Sequence, residues 1–209
     1  MRLLIAYNND SADGDATHFA FCGEEMEIEA DVRKIDKVVL TPPEMTHAHL
    51  IEYMPTCQVC FVASHGDAKS IANEKNEDLV SVRYDNSVFS GKMLYAVSCY
   101  CGTELKDHLV QIGLRSFWGF EKELKFWGGY PQYSQSALAG IKSLLDGKNL
   151  KEAKTLMLAK YDEGVAELEK VIDNPLLAAD LYDDKEALVV YGDEDFVLTD
   201  LEESVFDNL

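Results

Sequence analysis

Apolar runs alternate with polar, Gly- or Pro-bearing stretches along most of this chain. Leu3–Tyr7 is a short apolar run that opens into the polar stretch Asn8–Asp15, the pattern of a strand followed by a loop. Met26–Leu40 mixes β-branched residues with charges and predicts one or two strands. Thr41-Pro42-Pro43-Glu44 reads as a helix start, with Thr41 as its cap. Apolar spacing at Met45, Ala48, Leu50, Ile51 and Met54 carries that helix to about Tyr53, ahead of Pro55. Cys57–Ala63 and Met93–Ser98 are almost wholly apolar, as expected of strands covered on both faces. A polar loop or hairpin around Leu79–Tyr84 separates them. Glu104–Ile112 predicts a helix stopped by Gly113, and Arg115–Phe120 a third buried strand. Lys122–Tyr133, aromatic and Gly-bearing, predicts a loop. Ser134–Leu145 and Leu150–Val171 predict helices on either side of Asp146-Gly147, and Ala187–Tyr191 a last strand. Buried strands alternating with helices make an α/β sandwich with a mostly parallel central sheet flanked by helices. The expected organisation is one domain over residues 1–198 and a short acidic tail at 199–209.

Composition narrows the function classes. A chain of 209 residues with 47% hydrophobic content supports one sizeable core. It has no apolar run of about 18 residues, so no membrane span is expected. The start MRLLIAYNND lacks the long apolar stretch of a signal peptide, which makes the cytoplasm the expected compartment. The net charge of −19 disfavours nucleic acid and anionic membranes as partners and favours basic polypeptides. The five cysteines are an odd number, which argues for free thiols rather than a disulfide framework.

The chemistry sits where strands end. In open α/β sheets, sites lie beyond the carboxyl ends of the strands. Cys57–Ala63 runs into Ser64-His65-Gly66-Asp67, and Met93–Ser98 runs into Cys99-Tyr100-Cys101-Gly102. If those strands are neighbours, an imidazole and a thiol emerge on one edge, as a nucleophile and its base require. Gly66 leaves room for a substrate, and its backbone N–H is a candidate donor to an oxyanion. Acyl transfer is the reaction class such a site implies. A His-Gly or a Cys at a strand end is also common in purely structural roles.

These residues resemble a known family. FVASHGD, followed by MLYAVSCYCG, is similar to the caspase-like (clan CD) cysteine peptidases, most closely the CHAT branch related to caspases and separase. LVQIGLRSFWGF, LAGIKSLLDGKNLKEAKTLMLAKY and NPLLAADLYDDKEALVVYGD resemble the segments that follow in that family, so the likeness covers nearly the whole chain. The resemblance implies a caspase-like three-layer sandwich and a thiol protease. It makes His65 and Cys99 catalytic, with the backbone N–H groups of Gly66 and Cys99 as the oxyanion hole. It selects Cys99 over Cys101, which stands where the family has Thr or Ser. Ser98, where Ala is usual, is a second departure. Asp67, Glu121 and Glu123 lie near predicted strand ends and are candidates for the S1 pocket, where a carboxylate favours Lys or Arg. The resemblance implies no cofactor or metal, a protein or peptide substrate, and a regulatory protein partner on another chain.

Other readings carry less. Cys57 and Cys60 point to opposite faces of a strand, which disfavours zinc. No phosphate loop or dinucleotide fingerprint is present. His47 and His49 suit surface or capping roles, and Trp118 and Trp127 suit core and pocket wall. The rival functions are an inactive caspase-like adaptor and an acidic mimic that binds a basic protein.

Overall fold

The computed structural model describes residues 1–203. Its elements in chain order are β1 (Arg2–Tyr7), α1 (Ala16–Val32), β2 (Asp36–Leu40), α2 (His47–Tyr53), β3 (Val59–Ala63), β4 (Ser70–Ala72), β5 (Asp78–Ser81), β6 (Met93–Val97), α3 (Glu104–Gln111), β7 (Ser116–Phe120), α4 (Gln132–Leu145), α5 (Leu150–Lys170), α6 (Pro175–Glu186), β8 (Leu188–Tyr191) and α7 (Asp200–Glu203). Six strands form one sheet in the order β2-β1-β3-β6-β7-β8, and β4 and β5 make a separate hairpin. All neighbours in the large sheet are parallel except β7 and β8.

Side chains alternate between two cores, as the period of a strand dictates. Leu3, Ile5, Phe61, Tyr95 and Trp118 face α1, α4, α5 and α6, while Leu4, Ala6, Cys60, Leu94 and Phe117 face α2, α3 and the hairpin. The architecture is thus the expected helix–sheet–helix sandwich. The central strands are buried along their whole length, which is why each reads as an unbroken apolar run.

Three sequence expectations change. Most of Met26–Leu40 is not strand: α1 runs to Val32, and only Asp36–Leu40 is extended. The helix is fixed by the buried positions Phe19, Cys22, Met26 and Ala30, which return at helical spacing. The second helix begins at Thr46, not Thr41; the Thr46 hydroxyl accepts the His49 N–H, while Thr41 accepts the Glu44 N–H in a turn. Finally, α6 fills the segment before the last strand. Asn174 caps it by accepting the Leu177 N–H, and Pro175 occupies its first turn.

At the far end, α7 places Leu201 in the main core, and the remainder of the expected tail, 204–209, lies outside the described residues. No helix among the described residues is long and apolar enough to cross a membrane.

Candidate functional site

The parallel register levels three strand ends. Tyr7 pairs with Ala63, and Ala63 with Val97, so the loops after β1, β3 and β6 leave the sheet at one edge. There they border a cleft of about 430 Å³ that His65, Gly66 and Cys99 line together with Asp15, His18, Tyr100 and the stretch Glu123–Trp127.

Gly66 makes this proximity possible. A Cβ at that position would stand 2.1 Å from Ser98 Oγ and 2.9 Å from the Cys99 carbonyl oxygen, so only glycine lets the β3 loop pack against the β6 loop. Among the described residues, neither the Gly66 nor the Cys99 N–H donates to another backbone group. Tyr100, just after the cysteine, takes the left-handed conformation at φ 57°, a strained turn for a residue with a side chain.

His65 has a partner that the sequence did not reveal. Its Nε2 lies 2.7 Å from Asp13 Oδ2, and Phe19 meets its ring edge-on at 5.0 Å. The Asn8 amide donates to the same Asp13 oxygen at 2.6 Å, and the Asp15 N–H donates to Oδ1 at 3.0 Å. Burial works to raise the Asp13 carboxyl, but the Asp15 N–H, the bond and charge of His65 and the Asn8 amide together hold it below its ordinary value. Asp13 sits in a loop whose only sequence cue was its position after the first strand.

The Cys99 thiol is partly exposed and accepts the Leu124 N–H at 3.3 Å. Burial pushes its pKa up; the Leu124 N–H works against this, and the negative charges of Glu123, Asp184 and Asp15 add to the rise. Cys101 is wholly buried, its S–H directed at the Ser98 carbonyl at 3.2 Å, and burial pushes it up to about 12.

The three S1 candidates separate. Glu123 lines the cleft and pairs with Lys125 at 2.7 Å. Asp67 is turned into its own loop, where Oδ1 accepts the N–H groups of Lys69 and Ser70. Glu121 does not line the cleft; its N–H holds the Ala187 carbonyl. Residues 123–127 form one wall. The Lys125 N–H donates to Asp184 Oδ1 and the Trp127 indole to Asp180 Oδ2, both at 2.8 Å. Asp184, on α6, is buried, and burial pushes its carboxyl up to about 8. His18 stacks on Phe126 at 5.3 Å across the cleft mouth. Trp118 lies in the core and Trp127 in the wall, the two places the sequence suggested for them.

One group among the described residues has metal-ligand character: single ligand atoms of Asp13, Asp15 and His65 all lie within 4.8 Å of one another. In the structure, His65 Nε2 is already satisfied by Asp13. The five cysteines are free; Cys57 precedes β3 and is buried with Cys60 in one core, not on the opposite face that a single strand would give it.

No family model matches this sequence, and no curated protein does. Solved structures do. The Arg-specific cysteine proteinase gingipain R superposes with a TM-score of 0.63 at 11% identity, over 94% of this chain and 47% of that one. A complex of the pro- and mature domains of the Porphyromonas gingivalis enzyme gives a TM-score of 0.57 at the same identity and coverage. The chain therefore spans about half the length of these structures. Since 94% of this chain superposes on that enzyme, it has the caspase-like α/β fold seen in the clan CD cysteine peptidase gingipain.

Proposed function

We propose that this protein is a cysteine peptidase in which Cys99 is the nucleophile and His65 the base. The observation that carries the proposal is the β3–β6 register, which brings both side chains to one cleft while Asp13 holds the imidazole. Asp13, kept ionised, fixes the imidazole proton on Nε2 and leaves Nδ1 as the basic nitrogen. The thiol is raised, so its proton passes to His65 as sulfur attacks the scissile carbonyl, rather than beforehand.

The carbonyl oxygen becomes an oxyanion held by the N–H groups of Gly66 and Cys99. Collapse of the tetrahedral adduct breaks the C–N bond, and the amine leaves with the proton from the imidazolium. A thioester remains. Water, deprotonated by His65, attacks it, releases the carboxylic acid and returns the proton to the thiol. Glu123 is the one acidic S1 candidate that lines the cleft, and it favours a basic P1 side chain if substrate displaces Lys125 from it.

The motifs around His65 and Cys99 resemble those of the CHAT branch, and control by a protein partner on another chain belongs to the same proposal. The test is labelling with a thiol-directed peptidyl probe together with cleavage of a peptide library. Wild type and Cys101→Ala are expected to label and cleave; Cys99→Ala and His65→Ala are not. Labelling lost only in Cys101→Ala refutes the choice of nucleophile, and no labelling or cleavage in wild type, even with its partner, refutes the peptidase.

A further inference from the structure

A second cavity, of about 200 Å³, lies beyond the wall formed by His18, Phe126 and Trp127, which line both spaces. Phe21, Tyr130 and Tyr133 add three more aromatic rings to its lining, beside Thr17, Pro131 and Ser134. Isolated exposed apolar residues are ordinary on a protein surface. Here Phe21 (48% exposed) and Trp127 (44% exposed) border one concavity, and no ionisable side chain other than His18 and the tyrosines lines it.

The walls are held before any ligand arrives. The Trp127 indole is tied to Asp180, Phe126 is stacked on His18 and leans on Tyr133 at 6.3 Å, and the Tyr133 hydroxyl donates to the Leu177 carbonyl at 2.8 Å. Gly128 and Gly129 also line it, and a Cβ built on either meets nothing within 4 Å. A rigid apolar hollow of this kind binds apolar groups with little ordering cost. It is smaller than the roughly 300–1,000 Å³ of sites that enclose drug-sized molecules, which suits a single side chain.

Building on the peptidase reading of Cys99, we infer that this cavity is a substrate subsite for one aromatic or large aliphatic side chain near the scissile bond. The shared wall carries the assignment. Because His18, Phe126 and Trp127 border both spaces, a peptide whose carbonyl rests at Cys99 can lay a neighbouring side chain over Phe126 into the hollow. The substrate class is therefore a peptide with a bulky apolar residue at one fixed distance from the cleaved bond.

The test separates the subsite from the chemistry. Capped peptides with Phe, Leu or Ser at successive positions are titrated into Cys99→Ala while the indole N–H resonances are followed, with buried Trp118 as the internal control. The same peptides are offered to wild type as a cleavage library. Two variants outside the Cys99 cleft are compared: Thr17→Phe, which fills the hollow, and Phe21→Ala, which removes a wall. Peptides with Phe or Leu at one position are expected to shift Trp127 and to be cleaved preferentially. Thr17→Phe is expected to weaken that binding about tenfold and abolish the preference, with thiol labelling by iodoacetamide unchanged. Cleavage without a bulky-residue preference, or a preference that both variants keep, overturns the subsite and leaves the peptidase standing. A Trp127 shift that Thr17→Phe removes, with no cleavage of any peptide, overturns the peptidase and the substrate assignment with it, and leaves a peptide-binding hollow. Absence of both the shift and the cleavage overturns the subsite.

Discussion

Replacing Asp184 by Asn should make the protein more resistant to unfolding in mild alkali. The carboxyl is buried on α6, beneath the wall of the cleft, with one oxygen holding the Lys125 N–H. Burial raises its pKa from 3.8 to about 8; the Lys125 N–H and side chain oppose the rise, and Asp180 and Asp183 add to it. An acid raised in this way binds its proton more tightly folded than unfolded. The stability it lends is complete below the unfolded value and is lost as pH climbs to the folded one. At about 1.4 kcal/mol per pH unit, the loss between about pH 4 and pH 8 is at most on the order of 5 kcal/mol. Asn keeps an oxygen for the Lys125 N–H and carries no proton to lose, so its stability should lack this decline. The assay is urea unfolding of wild type and Asp184→Asn across that window, read as the difference between the two, which cancels the other carboxylates. Parallel curves would refute the reasoning, and so would a variant that is the less stable of the pair at pH 8 by as much as at pH 4.

Other outcomes follow from the same geometry. Asp13→Asn should lower kcat/KM by about 10²–10⁴-fold with little change in urea stability, because the imidazole loses the group that fixes its tautomer; unchanged kinetics would remove Asp13 from the mechanism. Gly66→Ala should cost about 1–3 kcal/mol and abolish probe labelling, since its Cβ must displace Ser98 and Cys99; denaturation and labelling check both halves. Cys101→Ala should lower stability by about 1 kcal/mol yet leave labelling intact, measured on the same samples.

What could be read from the sequence depended on whether a segment's partners lie along the chain or across it. β3, β6 and β7 are continuous apolar runs because both faces of each are covered, and their ends delivered His65, Gly66 and Cys99 directly. α1 was hidden by β-branched residues on its outer side, Ile28 and Val32, and by Gly23 within it. That glycine is a packing requirement: a Cβ there would lie 2.1 Å from the Tyr7 ring. α6 carried its cap in Asn174-Pro175, but its acids made it look like surface, and Asp184 looked like one more member of a solvated cluster. Asp13 was unreadable for a different reason. Nothing local marks which loop carboxylate meets the imidazole; that depends on β1 lying beside β3. Leu124 acts through a backbone N–H, which has no letter in the sequence.

The levelled ends of β1, β3 and β6 also bear on how the chain reaches its native state. Each of these parallel pairings joins segments far apart in sequence, and closing such long loops costs entropy before any contact repays it. The thiol and the imidazole reach one cleft, with the aspartate on the imidazole, only after both pairings are in register, and the Leu124 N–H reaches the thiol only after β7 has docked as well. In a refolding time course, return of Cys99 reactivity toward a peptidyl probe should therefore trail the recovery of helical circular dichroism, making the thiol a clock for completion of the sheet.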